Sequence, residues 1–403
     1  MAEPASKTAA LATSAALTAL ENPLAWLLGG KAEGFLTGAY ETEPLIVRHG
    51  DPDRFKSLLT IASIDRIIAE RDLREGQLVI ANAARDIALE AYVTPAGAID
   101  RAAVAQLYRK GGTIILNQLH QSDMRLADFC QSLERIFSCH VQTNIYLTPP
   151  SNQGFHTHYD KHDVFILQIE GEKTWRLYDQ VDAPYRGEGF QREEVEGLEP
   201  TDTFVLQPGD CAYVPRGKIH DAVTKGDEPS LHVTCGLIVR TWAELMLEAV
   251  SEVCVDEPAF RKSLPAGFAT PGFDRKAAAA TFQSLLAVVA KKAAMDNALD
   301  LMSDALIRSR EPNMSGAIVR ATRPVEGLYR AAPSLWRFEP EDEGVVRMIA
   351  PNGDVTFTTD LQGAVDRMLS GQVFDAAEFA EGPARELMVK LLARGLVAPL
   401  VRP

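Results

Sequence analysis

The middle of the chain, from about residue 140 to residue 240, alternates short apolar segments with Gly and Pro turns. The segments read VQTNIYL, DVFILQIEG, KTWRLYD, DTFVLQPGD, CAYVPRG and LHVTCGLIV. Runs of this length, rich in Val, Ile, Phe and Tyr and closed by turn residues, are typical of β-strands. A succession of such strands favours a barrel or a two-sheet jelly roll, in which every strand buries one face.

Upstream of this region the pattern is mixed. Apolar residues at three- and four-residue spacing predict helices over 55–71, 101–110 and 124–137. Runs rich in β-branched residues predict short strands over 44–49, 77–81 and 113–117. We therefore expect residues 1–240 to form an α+β unit, a barrel with an N-terminal elaboration.

Downstream of residue 240 the pattern is helical. Long amphipathic stretches at 242–253 and 276–308 predict a helical domain over 241–335. Such a domain serves either as a subunit interface or as a layer that covers its own barrel. The remaining segment, 336–403, combines the hairpin sequence VVRMIAPNGDVTFTTD with two further helical stretches, which predicts a winged-helix-like module.

Composition narrows the class of protein. The chain has 403 residues, 46% of them apolar and 24% charged, as in ordinary globular proteins of two or three domains. Its net charge of −14 opposes extended contact with a nucleic acid backbone. The five cysteines form no CxxC pair, and the Ala-rich start lacks the features of a secretory signal. We expect a cytoplasmic protein without a membrane span.

The sequence FHTHYDKHD carries the strongest chemical signal. Side chains two residues apart on a strand share a face, so His158 and Asp160 can bind one metal ion. A third ligand, His220, follows in PRGKIH on a later strand. Two imidazoles and one carboxylate on one side of a metal leave other positions open, as in non-haem Fe(II) oxygenases. His156 has the same parity and remains an alternative to His158.

An iron centre with three protein ligands needs an electron donor that can chelate the open face, and 2-oxoglutarate is suited to this. Its second carboxylate then needs a cation. Lys173 lies on the next predicted strand and shares its parity with the apolar residues Trp175 and Leu177, so we expect it to point into the barrel. Asn144 and Tyr146 share one face of an earlier strand and are candidates for hydrogen bonds to the same co-substrate.

The runs NIYLTPPSNQGFHTHYDKHDVFILQIEGEKTWRLYD, LQPGDCAYVPRGKIHDA and SLHVT resemble the JmjC-type cupin oxygenases of the ribosomal oxygenase group. The resemblance is dense over about residues 140–240. It implies a double-stranded β-helix, or jelly-roll cupin barrel, followed by a dimerising helical domain and a winged-helix-like domain. A small polar residue of that family's last barrel strand corresponds here to Gly236 or Cys235.

The resemblance also implies a set of functional residues and partners. The family's iron ligands correspond to His158, Asp160 and His220, its 2-oxoglutarate carboxylate partner to Lys173, and further pocket positions to Asn144 and Tyr146. The implied cofactor is Fe(II), with 2-oxoglutarate and O2 as co-substrates. The implied partners are a protein substrate, namely a ribosomal protein, and a second copy of the chain, without direct nucleic acid binding.

Two other functions share the same motifs. One is a metal-dependent cupin that acts on a small molecule as a hydroxylase or isomerase, and the other is a cupin that binds without catalysis. An inward-facing Lys173 argues against an isomerase because its charge requires an anionic ligand. The complete set of three ligand residues argues against a binding module.

Overall fold

The computed structural model describes residues 20–180, 195, 197–341 and 344–400. The described part of the N-terminal 240 residues contains ten strands: β1 (Leu45–Val47), β2 (Leu78–Ala81), β3 (Thr113–Leu116), β4 (His140–Thr148), β5 (Asp163–Glu170), β6 (Lys173–Gln180), β7 (Asp202–Leu206), β8 (Cys211–Val214), β9 (Lys218–Val223) and β10 (Ser230–Ile238). The larger sheet has the order β1-β8-β5-β10-β4-β3-β2, and a smaller sheet has the order β7-β6-β9. All pairings between these strands are antiparallel.

Strand β5 shows why the two sheets stack. Its residues are buried on both faces, which explains its continuous apolar sequence. Val164 and Ile166 point between the sheets, where they join an apolar cluster with Trp175 of the smaller sheet. Phe165 belongs instead to the main core, which lies between the larger sheet and the N-terminal helices. Lys173 lies two residues before Trp175 on β6, so its side chain points into the same space between the sheets.

The hairpin between β5 and β6 depends on Gly171. This residue has φ of +61°, and a Cβ atom there would lie 1.9 Å from the carbonyl oxygen of Pro229. Only glycine avoids both the left-handed strain and this collision. The tight turn sets the register that places Lys173 at the start of β6.

The helices of at least four residues are α1 (Pro23–Leu28), α2 (Ile61–Glu70), α3 (Arg101–Arg109), α4 (Met124–Phe137), α5 (Trp242–Asp256), α6 (Arg275–Lys292), α7 (Met295–Arg308), α8 (Ala317–Arg320), α9 (Gln362–Leu369) and α10 (Gly382–Ala393). Short 3-10 turns lie at Gly29–Lys31, Phe35–Thr37, Leu89–Ala91, Leu119–Gln121, Pro258–Arg261, Thr359–Leu361 and Ala376–Phe379. Helix α2 begins later than predicted, at Ile61, because Thr60 is extended and forms a capping box with Ser63. No helix in the described part of the chain is long and apolar enough to span a membrane.

The helical stretch predicted at 276–308 is two helices. Ala293 adopts an extended conformation that ends α6, although the sequence there has no glycine or proline. Helix α7 then turns back, and its fully buried Ala298 packs against Leu245 and Ala249 of α5. Packing between distant helices, which periodicity does not reveal, therefore decides this break.

The C-terminal part contains β11 (Leu328–Ala331), β12 (Arg337–Pro340), β13 (Val345–Ile349), β14 (Val355–Thr358), β15 (Phe374–Asp375) and β16 (Val397–Pro399). The predicted hairpin is formed by β13 and β14. Strand β11 lies in the segment expected to be helical, yet it pairs with β15 and β16. Its Tyr329 joins the apolar cluster of α9 and α10, so the C-terminal module begins before residue 336.

Candidate metal centre and its cavity

The segment that carries His158 and Asp160 is a loop and not the strand that the sequence predicts. Pro149 and Pro150 have no N–H to donate, and regular pairing resumes only at Asp163, where β5 begins. Within the loop, His158 forms an isolated antiparallel bridge with His220 of β9. The His158 N–H donates to the His220 carbonyl at 3.0 Å, and the reciprocal bond is 2.8 Å.

This bridge brings the three predicted ligand residues together. One ligand atom from each of His158, Asp160 and His220 lies within 4.8 Å of the others. The His220 Nε2 atom is 3.7 Å from Asp160 Oδ2, and the two imidazole ring centres are 4.7 Å apart. His156 is exposed and outside this cluster, so the geometry favours His158 over the alternative that the sequence leaves open.

Backbone hydrogen bonds orient both imidazoles. The Nδ1 atom of His158 lies 2.8 Å from the His156 carbonyl oxygen, and that of His220 lies 2.9 Å from the Lys218 carbonyl oxygen. A carbonyl accepts only, so each Nδ1 carries the hydrogen and each Nε2 keeps its lone pair. Burial also lowers the pKa of His220, which favours the neutral ring that metal binding requires.

A cavity adjoins the three ligand residues and receives side chains from both sheets. Its other lining residues are Thr113, Tyr146, Gly154, Phe155, Val164, Ile166, Lys173, Trp175, Ala222, His232 and Thr234. Most of these residues come from β3, β4, β5 and β10 of the larger sheet and from β6 and β9 of the smaller one. The cavity is thus the space between the two sheets.

Lys173 supplies a buried cation to this cavity. It is 3% exposed, and its Nζ donates to the Thr148 hydroxyl at 3.0 Å. No carboxylate forms a salt bridge with it within the described ranges. Burial lowers the pKa of Lys173 to about 7, because the charged ammonium loses its hydration without gaining an anion. An anionic ligand would remove this penalty.

Two further polar atoms of cavity residues have no partner among the described residues. The Trp175 Nε1 and His232 Nδ1 atoms are buried and have no hydrogen-bond partner. The His232 ring stacks on the Tyr146 ring, with 4.8 Å between the ring centres. The Trp175 and His232 rings form a T-shaped pair whose centres are 5.5 Å apart. Burial, followed by the charge of Lys173, lowers the pKa of His232 well below its ordinary value, so its ring is neutral. An unpaired indole N–H beside a buried lysine fits a carboxylate ligand.

The other residues that the sequence predicts for the site do not all line the cavity. Tyr146 lines the cavity, whereas Asn144 lies beyond it and accepts a hydrogen bond from the Gln118 N–H at 3.0 Å. On the last strand, Cys235 belongs to the main core. A Cβ atom at Gly236 would lie 2.4 Å from the His162 ring, and the polar residues of β10 that line the cavity are His232 and Thr234.

Sequence reasoning missed several residues of the cavity. It also missed Thr148, which accepts the Lys173 hydrogen bond and whose strand parity with Tyr146 is a signal that it points inward. Trp175 was recognised only as an apolar neighbour of Lys173, although its indole N–H also faces the cavity. Thr113 and Phe155 carry no comparable signal, because their proximity depends on the path of the chain between strands.

Comparison with known proteins assigns the domain. Residues 114–245 match the family described as JmjC domain. This part of the chain is similar to a JmjC domain. This range includes the three ligand residues, Lys173 and most of the barrel, and the resemblance noted in the sequence is confirmed.

Curated relatives match somewhat more than half of the chain. The bifunctional lysine-specific demethylase and histidyl-hydroxylase NO66 of Dictyostelium discoideum is 34% identical over 246 residues, which are 58% of this chain and 47% of the relative. Ribosomal oxygenase 1 of Danio rerio is 30% identical over 243 residues, 58% of this chain and 44% of the relative. The chain therefore spans about half the length of the curated relatives it matches.

Solved structures extend the likeness along the whole chain. The Escherichia coli ribosomal oxygenase YcfD in complex with cobalt and 2-oxoglutarate superposes with a TM-score of 0.54, covering 92% of this chain and 99% of that one at 14% identity. A second structure of YcfD gives a TM-score of 0.53 at 14% identity, covering 91% and 97%. At this identity the likeness shows the fold, and the predicted JmjC cupin barrel is confirmed.

The buried lysine leads to a prediction on stability. Since the pKa of Lys173 is about 7 in the folded chain and about 10.4 when unfolded, the unfolded state binds the extra proton between these pH values, and stability rises with pH. Lys173→Met should therefore be more stable than the wild type at pH 6, by on the order of 4 kcal/mol, and the difference should shrink toward pH 10. Urea unfolding of ligand-free protein at pH 6, 8 and 10 measures this.

The control for this experiment is Lys225→Met, which changes an exposed lysine. It should leave the pH dependence of the free energy of unfolding unchanged. A Lys173→Met variant that is destabilised equally at all three pH values would contradict the assigned ionisation.

Proposed function

We propose that this JmjC protein is an Fe(II)- and 2-oxoglutarate-dependent oxygenase that hydroxylates a side chain of another protein. The observation that carries the proposal is a single cavity with His158, Asp160 and His220 on its wall and the unpaired cation Lys173 in its lining. The histidines and the carboxylate would hold the metal on one side and leave positions open for ligands, the arrangement of non-haem iron oxygenases.

The remaining residues serve the co-substrate. Lys173 would pair with the carboxylate of 2-oxoglutarate that is remote from the metal, and the unpaired N–H of Trp175 would donate to the same group. Tyr146 forms the wall on which His232 stacks. The apolar side chains of Val164 and Ile166 exclude water from this end of the cavity. With Fe(II) and 2-oxoglutarate bound, the site supplies an oxidant derived from O2 that inserts one oxygen atom into a C–H bond.

A cupin that acts on a small molecule is the main rival. The buried Lys173 favours the 2-oxoglutarate oxygenase, because a cation beside unpaired donors and apart from the ligand triad fits a carboxylate co-substrate. A non-catalytic module is disfavoured by the free Nε2 atoms of both histidines, which are oriented for a metal.

The proposed substrate is a ribosomal protein. The curated relatives carry the names ribosomal oxygenase and histidyl-hydroxylase, which motivates this choice. The net charge of −14 supports it, since an acidic protein attracts basic peptide segments and repels the phosphate backbone of nucleic acid. We place the protein in the cytoplasm and expect no direct contact with nucleic acid.

We also propose a homodimer formed through the helical domain. Large apolar side chains are exposed along this part of the chain at Trp242, Met246, Leu247, Val255, Leu264, Phe268, Phe282, Leu286, Met295, Leu299, Leu301, Ile318 and Val319. Helix α6 has no buried residue at all. Exposed apolar surface on this scale is typical of an interface. Light scattering that gives the mass of one chain at micromolar concentration would contradict the dimer.

The metal site is tested by removing its ligands one at a time. His158→Ala, Asp160→Ala and His220→Ala should each weaken Fe(II) binding by more than the roughly 10–100-fold that loss of an outer hydrogen-bond partner costs. Their free energies of unfolding should stay near that of the wild type, because the barrel has its own core. Anaerobic Fe(II) titration measures the affinity. His156→Ala is the matched control, and an Fe(II) affinity lost in this variant but kept in His158→Ala would reassign the ligand.

Co-substrate binding should take up a proton. At pH 8 Lys173 is largely neutral, and an anion beside it restores the charge, so 2-oxoglutarate affinity should fall up to tenfold per pH unit above 7. Calorimetry of the Fe(II) protein under argon, in two buffers of different ionisation enthalpy, measures this uptake.

Lys173→Met should bind Fe(II) normally and 2-oxoglutarate at least about 100-fold more weakly. Unchanged co-substrate affinity in that variant would reopen the isomerase alternative.

Hydroxylation is tested on the ribosome itself. Mass spectrometry of ribosomal proteins from cells with and without the gene should show one site that differs by a single oxygen atom. The inactive His220→Ala protein, expressed in the deficient cells, should fail to restore this modification. Unmodified ribosomes in all cells, together with 2-oxoglutarate turnover coupled to a small molecule, would exclude the ribosomal substrate and keep the oxygenase.

A further inference from the structure

Asp221 is a buried carboxylate directly after the candidate ligand His220. It is 2% exposed and accepts three hydrogen bonds. The Arg176 Nε donates to Oδ1 at 2.6 Å, and the Tyr178 hydroxyl donates to Oδ2 at 2.7 Å. The third donor, the Thr157 hydroxyl at 2.8 Å from Oδ2, belongs to the loop that carries the other two ligand residues.

The loop packs its buried Tyr159 against Tyr178 and Ile219, and it is also hydrogen-bonded to the neighbouring strand near the metal site. Its residue His158 pairs with the backbone of His220, and the carbonyl oxygen of Asp160 accepts from the Gly217 N–H at 2.9 Å. The Thr157 hydroxyl adds the side-chain bond to Asp221. All four of these hydrogen bonds lead to the stretch 217–221, so the position of two ligands relative to the third depends on how the loop is held against β9.

The far end of the loop is fixed in a similar way. Asp163, fully buried at the start of β5, accepts from the Arg216 guanidinium at 2.6 Å and from the Tyr213 hydroxyl at 2.8 Å. Between Asp163 and Thr157 the chain has no regular pairing. A carboxylate at each end therefore anchors the segment that contains His158 and Asp160.

Stability alone does not account for Asp221. A carboxylate buried in a barrel wall loses its hydration, and apolar residues of similar volume usually stabilise such a position at least as well. The carboxylate instead positions its three donors, because charge-assisted hydrogen bonds are short and have a preferred geometry.

We propose that Asp221 is a positioning residue of the metal centre, which acts through Thr157 to hold the His158–Asp160 loop against the strand of His220. The inference rests on the proposed function, because it assumes that these three residues bind a metal. It assigns to Asp221 and Thr157 a role in metal affinity, although neither side chain is among the metal ligands.

The decisive variant is Thr157→Val, which removes one hydroxyl from a half-buried loop position and leaves Asp221 with two donors. We expect about 10-fold weaker binding of Co(II), titrated by its visible absorption, and an altered ligand-field spectrum. Thr157→Ser, which restores the hydroxyl, should return the affinity to that of the wild type. Asp221→Asn should weaken binding by about 10–100-fold, and Thr157→Val decides the question if that variant does not fold.

Thr94→Val is the matched control. The Thr94 hydroxyl is also half-buried and accepts one bond, from the Ala98 N–H, in a turn that lines no part of the cavity. It should bind Co(II) like the wild type, and thermal unfolding of the metal-free proteins should show similar losses for both valine variants. Wild-type affinity in Thr157→Val, or equal weakening in Thr94→Val, would overturn the role of Asp221. A wild-type protein that binds no metal would instead overturn the proposed function.

Discussion

The short backbone pairing between His158 and His220 is the interaction on which the site depends. It joins a loop that leaves the larger sheet to a strand of the smaller one, and in doing so brings three ligand atoms within 4.8 Å of one another. Neither sheet alone contains a ligand set. Backbone carbonyls that accept from both Nδ1 atoms then turn the free nitrogens toward a common point.

The second constraint is electrostatic. The interior between the sheets is largely apolar, yet it contains Lys173 and, among the described residues, two buried nitrogen atoms without hydrogen-bond partners. Such groups cost stability in the ligand-free protein, and proteins keep them where a ligand completes the interactions. Burial lowers the pKa of Lys173 and reduces the stability of the ligand-free protein. Because a bound anion would remove this penalty, the same burial favours an anionic ligand.

Much of this arrangement is readable from strand parity. The inward direction of Lys173 follows from its sharing a face with Trp175 and Leu177, and the structure finds all three buried. The apolar run of β5 indicates a strand covered on both sides, which is what the two clusters around it show. Predictions from the sequence were wrong where long-range contacts determine the local structure. These places are the break between α6 and α7 and the loop with His158 and Asp160, which was predicted to be a strand.

The sequence by itself determined the barrel, the residue types of the metal site and the inward face of Lys173, because side-chain periodicity and turn residues act over a few positions. Only the tertiary structure favoured His158 over His156, placed Asn144 outside the cavity, and brought Asp221 within hydrogen-bond distance of the ligand loop. These outcomes depend on which distant segments pair. Local patterns fix the face on which a side chain lies but not the neighbour that it meets across the barrel.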